Sequence, residues 1–203
     1  MATATDSHQA SRNSHAVRFY EDAASLCRTV ANFLSEGLAL GHPALVIATP
    51  QHRDALLAEF RSREVDVGAA QTTGDLELLD ARHVLASVMI DGMPDAPLFN
   101  EQLATAIGRL SRGRKDRVVR AYGELVDVLW QDGLTAAAIR LEMLWNLLAN
   151  RHDFSLLCGY AMGSFYTDGS MRTICAQHSH VIPAESALKD VTPTSPSLGR
   201  RRR

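Results

Sequence analysis

No apolar run in this sequence approaches the roughly 20 residues that a bilayer span requires. Its first fifteen residues, MATATDSHQASRNSH, contain no hydrophobic stretch of the secretory kind. Both absences lead to the expectation of a cytoplasmic protein with no membrane partner. Cysteine is scarce: Cys27, Cys158 and Cys175 are an odd number with no CxxC spacing, so a disulfide framework is not expected and buried thiols are favoured. Phosphate-binding glycine loops are missing too. Neither GxxxxGK[ST] nor GxGxxG occurs, and the loop after ALVIAT is PQHRDA, where Pro50 removes a backbone donor. Walker-type ATP hydrolysis is thereby disfavoured. There is no GxSxG elbow, no HExxH and no Cys/His/Asn signature, so no catalytic residue is assigned and an enzyme is not expected.

What is present is the composition of one globular domain: 203 residues, 46% hydrophobic and 22% charged. The net charge of −2 hides an asymmetry, because the chain ends in RRRR and the rest carries 17 basic against 23 acidic residues. An acidic body argues against a nucleic-acid-binding face. Residues 1–14 are polar and residues 183–203 are rich in Pro, Ser and Thr, so both read as disordered ends around a domain at 15–182.

Periodicity organises that domain. Leu26, Val30, Phe33, Leu34 and Leu38 fall at offsets of three and four, which predicts a helix over 22–40, with Asp22 or Ser25 as its cap. ALVIATP (44–50) is a continuous apolar run, the pattern of a strand buried on both faces. Further strands are expected at 75–81, 117–122 and 154–160. Helices are expected at 51–64, 81–90, 98–112, 124–131, 134–150 and 171–180. Strands alternating with helices imply an α/β fold: three layers, a mostly parallel sheet with helices on both faces.

In such sheets ligands bind beyond the carboxyl ends of the strands. Those ends carry Thr49 and His52, Tyr122 and Glu124, and Cys158 and Tyr160, a pocket lining with few polar anchors. Each has a plainer role open to it. Glu124 in a helix's first turn is stabilised by the helix dipole by roughly 0.3–1 kcal/mol. Tyr122 and Tyr160 suit packed aromatics, and Cys158 suits a small core residue. Glu142 lies in an apolar helix where Ile139, Met143, Leu147 and Asn150 form one stripe; either solvent and nearby Arg140 satisfy it, or it faces the same pocket as Glu124. In CAQHSH, Cys175, His178 and His180 fall short of a zinc ligand set, so no metal is expected.

Taken in order, HAVRFYED, FLSEGLALGHPALVIAT, VVRAYGELVDVLW, LEMLWNLL, FSLLCGY and HSHVI resemble the MEDS domain family, the sensory domain of methanogens, methylotrophs and the dichloromethane-responsive repressor. The resemblance spans about 15–182. It implies a RecA/KaiC-like fold without a phosphate loop, consistent with the missing glycines. It also implies His15, Tyr20, Glu124, Glu142, Cys158, Tyr160 and His178 as signature positions, with His15 and Tyr20 closing over the strand-end rim.

The resemblance further implies a domain that senses small molecules, such as hydrocarbon derivatives, in signal transduction and transcription regulation. Such domains are often joined to helix-turn-helix, histidine-kinase or anti-sigma modules; here the flanking segments are too short for one. The expectation is a non-enzymatic small-molecule sensor, with no cofactor required by the sequence. It would signal through a partner, such as a histidine kinase or anti-sigma regulator, or through a homodimer. Two alternatives remain open, a ligand-free interaction module and a degenerate RecA-like nucleotide-binding protein. Its ligand-binding residues would be His15, Tyr20, Thr49, Tyr122, Glu124, Glu142, Cys158, Tyr160 and His178.

Overall fold

The structure, a computed structural model, describes residues 14–114, 116–163 and 168–182. The two expected disordered ends therefore lie outside the described residues, apart from Ser14. In chain order the elements are β1 (His15–Tyr20), α1 (Ala23–Ala39), β2 (Ala44–Ala48), α2 (Pro50–Ser62), α3 (Val67–Thr72), β3 (Leu76–Asp80) and α4 (Ala81–Val88). A short ribbon of β4 (Met89–Ile90) and β5 (Met93–Pro94) precedes α5 (Ala96–Ser111) and β6 (Val119–Gly123). The chain continues through α6 (Leu125–Gln131), α7 (Thr135–Ala149), β7 (Phe154–Ala161), α8 (Asp168–Cys175) and β8 (His180–Ile182).

Six strands form one sheet in the order β3-β2-β6-β7-β1-β8, and every pairing in it is parallel. Parallel strands need crossover connections, and these cover both faces of the sheet. One face packs α1 to α3 against Val46, Tyr122 and Leu157 through Leu26, Val30, Leu34, Leu56 and Phe60. The opposite face packs α4 to α8 against Val17, Ile47, Leu156, Cys158 and Tyr160 through Phe99, Leu103, Leu141, Trp145 and Ile174. This is the expected three-layer α/β architecture. Among the described residues no helix is long and apolar enough to cross a membrane.

The expected strands at β2, β3, β6 and β7 are all present, and Asp22 caps α1 by accepting from Ala24 and Ser25 N–H. Two readings need correction. HAVRFY, absent from the expected strands, is an interior strand: β1 pairs with β7 on one side and β8 on the other. Its polar His15 and Arg18 obscured the strand pattern, yet both are buried, and Arg18 Nη2 donates to Ser25 Oγ at 2.9 Å. The expected helix over 171–180 ends at Cys175, and the chain then extends into β8. On α7 the inward stripe is Leu141, Leu144, Trp145 and Leu148, whereas Met143 and Leu147 are exposed.

Gly37 shows how tightly α1 lies on the sheet. Arg120 of β6 runs beneath it, donating from Nη1 to the Phe33 carbonyl at 2.6 Å with its guanidinium 5.1 Å from the Phe33 ring centroid. A Cβ on Gly37 would overlap the Arg120 stem and reach within 2.9 Å of its Nε. On an open helix surface Gly→Ala stabilises by about 1 kcal/mol. Gly37→Ala should instead destabilise by about 1–3 kcal/mol through overpacking, read as a lower midpoint in urea denaturation.

Candidate functional site

The crossings of the sheet define where a crevice opens. Helix α2 leaves β2 toward one face while α6 leaves the adjacent β6 toward the other. Neighbouring strands whose helices diverge in this way form a topological switch point, where ligands of open α/β sheets bind. Glu124 closes that point. Its backbone occupies the N-cap position of α6, but its side chain makes no cap bond to that helix. Instead Oε2 accepts from the Thr49 N–H at 2.5 Å, and Oε1 accepts from the Tyr122 hydroxyl at 3.0 Å and meets His52 Nδ1. The carboxylate thus caps a different helix, α2, whose own N-cap Thr49 makes no side-chain bond. Beside it Asp127 accepts from the Tyr20 hydroxyl at 2.7 Å, from Gln131 Nε2 at 2.8 Å and from the Ala161 N–H at 3.0 Å.

A second polar cluster lies within the other face. Glu142 of α7 is 1% exposed. Its Oε1 accepts from the Tyr160 hydroxyl at 2.7 Å and lies 3.4 Å from His178 Nε2. Its Oε2 lies 3.3 Å from His15 Nε2, without the alignment of a hydrogen bond. His15 Nε2 is also 3.3 Å from Cys158 Sγ. The rings of His15 and His178 lie against each other, tilted by 50° with centroids 4.1 Å apart.

Electrostatics separates the two centres. Hydrogen bonding to Glu124 raises the pKa of His52 against the opposing effect of burial, and the charges of Glu124 and Asp127 add to the rise. Burial, then Glu124, pushes the Tyr122 phenol well above its usual value. Burial also raises Asp127, outweighing its three hydrogen bonds. Cys27, whose thiol reaches the His52 carbonyl, is pushed up to about 11 by burial and by Glu124, Glu59 and Asp22. In the second cluster burial, with Glu142 adding, raises the Cys158 thiol well above normal. Burial works to raise Glu142 as well, but the two histidines and Tyr160 hold it below the usual carboxylate value. Burial lowers His178 despite the nearby Glu142.

The nine expected binding residues therefore do not share one rim. Thr49, Tyr122, Glu124 and Tyr20 gather at the strand ends, whereas His15, Glu142, Cys158, Tyr160 and His178 gather across the sheet, and Glu142 shares no partner with Glu124. His15 sits at the opening end of β1, away from the rim. Three residues of these networks escaped notice or weight. His52 was seen only as a strand-end imidazole. Asp127 follows Glu124 by three positions and Asn146 follows Glu142 by four, the spacings that place helical residues side by side.

Truncating Glu124 to Ala leaves three donors without their acceptor, and should destabilise the fold by about 3–5 kcal/mol, the range for breaking a buried pair. The His52 contribution has a definite pH sign. Its folded-state pKa lies above the ordinary 6.5, so its stabilisation is complete below that value and fades as pH rises through the raised one. His52→Gln should consequently lower the urea midpoint more at acidic than at alkaline pH.

Comparison with known proteins places this geometry. No curated protein matches the chain. Among solved structures, an uncharacterized protein from Pyrococcus horikoshii, crystallised in complex with an unknown peptide, is similar with a TM-score of 0.56 at 13% identity. That likeness covers 85% of this chain and 78% of the other, and it concerns the fold. The model of the MEDS family, the MEthanogen/methylotroph, DcmR Sensory domain, matches residues 14–179, which include both polar centres. The chain belongs to the MEDS family of sensory domains.

Proposed function

We propose that this sensory domain is non-enzymatic and binds a small neutral or cationic molecule at the switch point between β2 and β6. The observation that carries the reading is the position of Glu124. In phosphate-binding α/β proteins the N-terminus of the helix after the strand receives the anion. Here the Thr49 N–H at the start of α2 is already taken by the chain's own carboxylate. A phosphate arriving there would meet Glu124 and Asp127, two anions, and lose a donor it needs. A neutral molecule with hydroxyl or amine groups would instead meet carboxylates and the Tyr20 phenol. His52, partly exposed, offers an approach from solvent.

Ligand binding can signal only by favouring one of two surface states. The Glu124–Thr49–His52 contacts join the ends of β2 and β6 to α2, so a ligand competing for them would move the start of α2. That movement would be read by a signalling partner, such as a histidine kinase or an anti-sigma regulator, or by a second copy of the chain. A second reading, an interaction module without ligand, is favoured by the exposed apolar side chains Leu134, Met143 and Leu147 at 43%, 45% and 53%.

Native mass spectrometry of the purified protein, followed by denaturing extraction, tests the proposal. The expected outcome is a retained organic molecule that Glu124→Gln releases while circular dichroism remains unchanged. A nucleotide in the extract would overturn it. An empty protein with a clean dimer mass would favour the second reading.

A further inference from the structure

The cluster across the sheet is incomplete as a hydrogen-bond network, and its defect has a definite sign. His178 Nδ1 lies 2.7 Å from the Ile174 carbonyl oxygen, which can only accept, so this nitrogen carries the proton. Asn146 Nδ2 donates to the Gln177 carbonyl at 3.0 Å, which turns its Oδ1 toward His15 Nδ1 at 2.9 Å. His15 Nδ1 therefore carries its proton too. In the neutral rings both Nε2 atoms present lone pairs, and both face the Glu142 carboxylate at 3.3 and 3.4 Å. The Cys158 thiol proton can serve His15. Among the described residues nothing hydrogen-bonds His178 Nε2 or Glu142 Oε2, and both atoms are fully buried. Beyond the thiol and phenol protons, the described residues place no proton between these lone pairs and the carboxylate.

We infer that His15, Glu142, Cys158 and His178 form a binding site for a divalent transition-metal ion of the zinc class. One donor atom from each lies within 4.8 Å of the others. His15 Nε2 lies 3.3 Å from both Cys158 Sγ and Glu142 Oε2, while His178 Nε2 lies 3.4 Å from the other oxygen of that carboxylate, Oε1. Tetrahedral ligands held at zinc distances of about 2.0–2.3 Å are separated by about 3.3–3.7 Å, so only the longest separations need contract. Charge balances as well: a thiolate and a carboxylate with two neutral imidazoles carry −2, which one divalent cation cancels, as a buried site demands. Around the donors stands the outer shell of metal-bound histidines, each ring nitrogen away from the ion held by an oxygen acceptor and the carboxylate held by Tyr160. A mixed imidazole, thiolate and carboxylate set selects zinc-like ions over magnesium or calcium.

The donors come from β1, α7, β7 and the turn after α8, so the ion joins the first strand to the last described segment. Ser179 makes the same junction without metal: its N–H donates to the His15 carbonyl at 2.7 Å, and its hydroxyl accepts from the His15 N–H at 3.0 Å. The ion would seat β8 on the sheet edge. This site is independent of the ligand proposed at the switch point, on the other side of the sheet.

Elemental analysis of the full-length protein, as purified and after reloading with zinc, should find about one equivalent per chain. Cobalt(II) in its place should show thiolate-to-metal charge-transfer absorption that vanishes in Cys158→Ser. Affinity should fall by about 10- to 100-fold in Asn146→Ala, which touches only the outer shell, and further in His178→Gln. Circular dichroism establishes that each variant is folded, and Glu124→Gln should leave metal content unchanged. A folded wild-type protein that takes up neither zinc nor cobalt would overturn the inference. So would cobalt uptake indifferent to both Cys158→Ser and His178→Gln.

Discussion

Glu124 ties the ends of β2 and β6 together, and much of the architecture can be read outward from that carboxylate. A parallel sheet must return each strand through a helix, and here the helices leave the adjacent strands β2 and β6 toward opposite faces. The divergence leaves the start of α2 and the end of β6 facing each other with backbone donors exposed. A buried N–H without a partner costs as much as a lost hydrogen bond. Glu124 satisfies the Thr49 N–H, the Tyr122 hydroxyl and His52 at once. Helix N-termini of this kind commonly receive an anion, and at the start of α2 the anion is the chain's own Glu124.

Strand β7 links this centre to the one across the sheet. Alternation along its backbone sends Cys158 and Tyr160 to the α7 face and leaves Gly159 facing α1. A Cβ at Gly159 would come within 3.1 Å of Leu26 and 3.4 Å of the Tyr122 hydroxyl. The small residue thus lets Tyr122 reach Glu124 while its neighbours serve Glu142. At the end of the same strand the Ala161 N–H donates to Asp127. One strand therefore supports both polar centres, with an apolar core on either side and few routes by which water could substitute for a missing partner.

Much of this was legible in the chain and some was not. ALVIA and FSLLCGYA read as buried strands because apolar residues run continuously, and that continuity is what two covered faces require. HAVRFY did not, because its His15 and Arg18 look like surface residues until their partners Asn146, Cys158 and Ser25 are seen. Those partners lie up to 143 positions away in the sequence, and no local pattern encodes them. The inward side of α7 stayed open for a related reason. With apolar residues around most of the helix, periodicity could not say which side faced the core, and the packing of Trp145 against Phe99 and Phe154 decided it.

The sequence by itself determined the class of fold, the absence of a phosphate loop, the family signature and the residue types of both centres, since these follow from local pattern and composition. Only the tertiary structure decided that the nine expected binding residues divide between the strand ends and the α7 face of the sheet. Side chains two apart on a strand share a face and adjacent ones do not, so Tyr122 and Gly159 were assigned to one side, and Cys158 and Tyr160 to the other, by register alone. Which carboxylate meets which imidazole then depended on strand order, and strand order is set by long-range pairing that neighbouring residues do not specify.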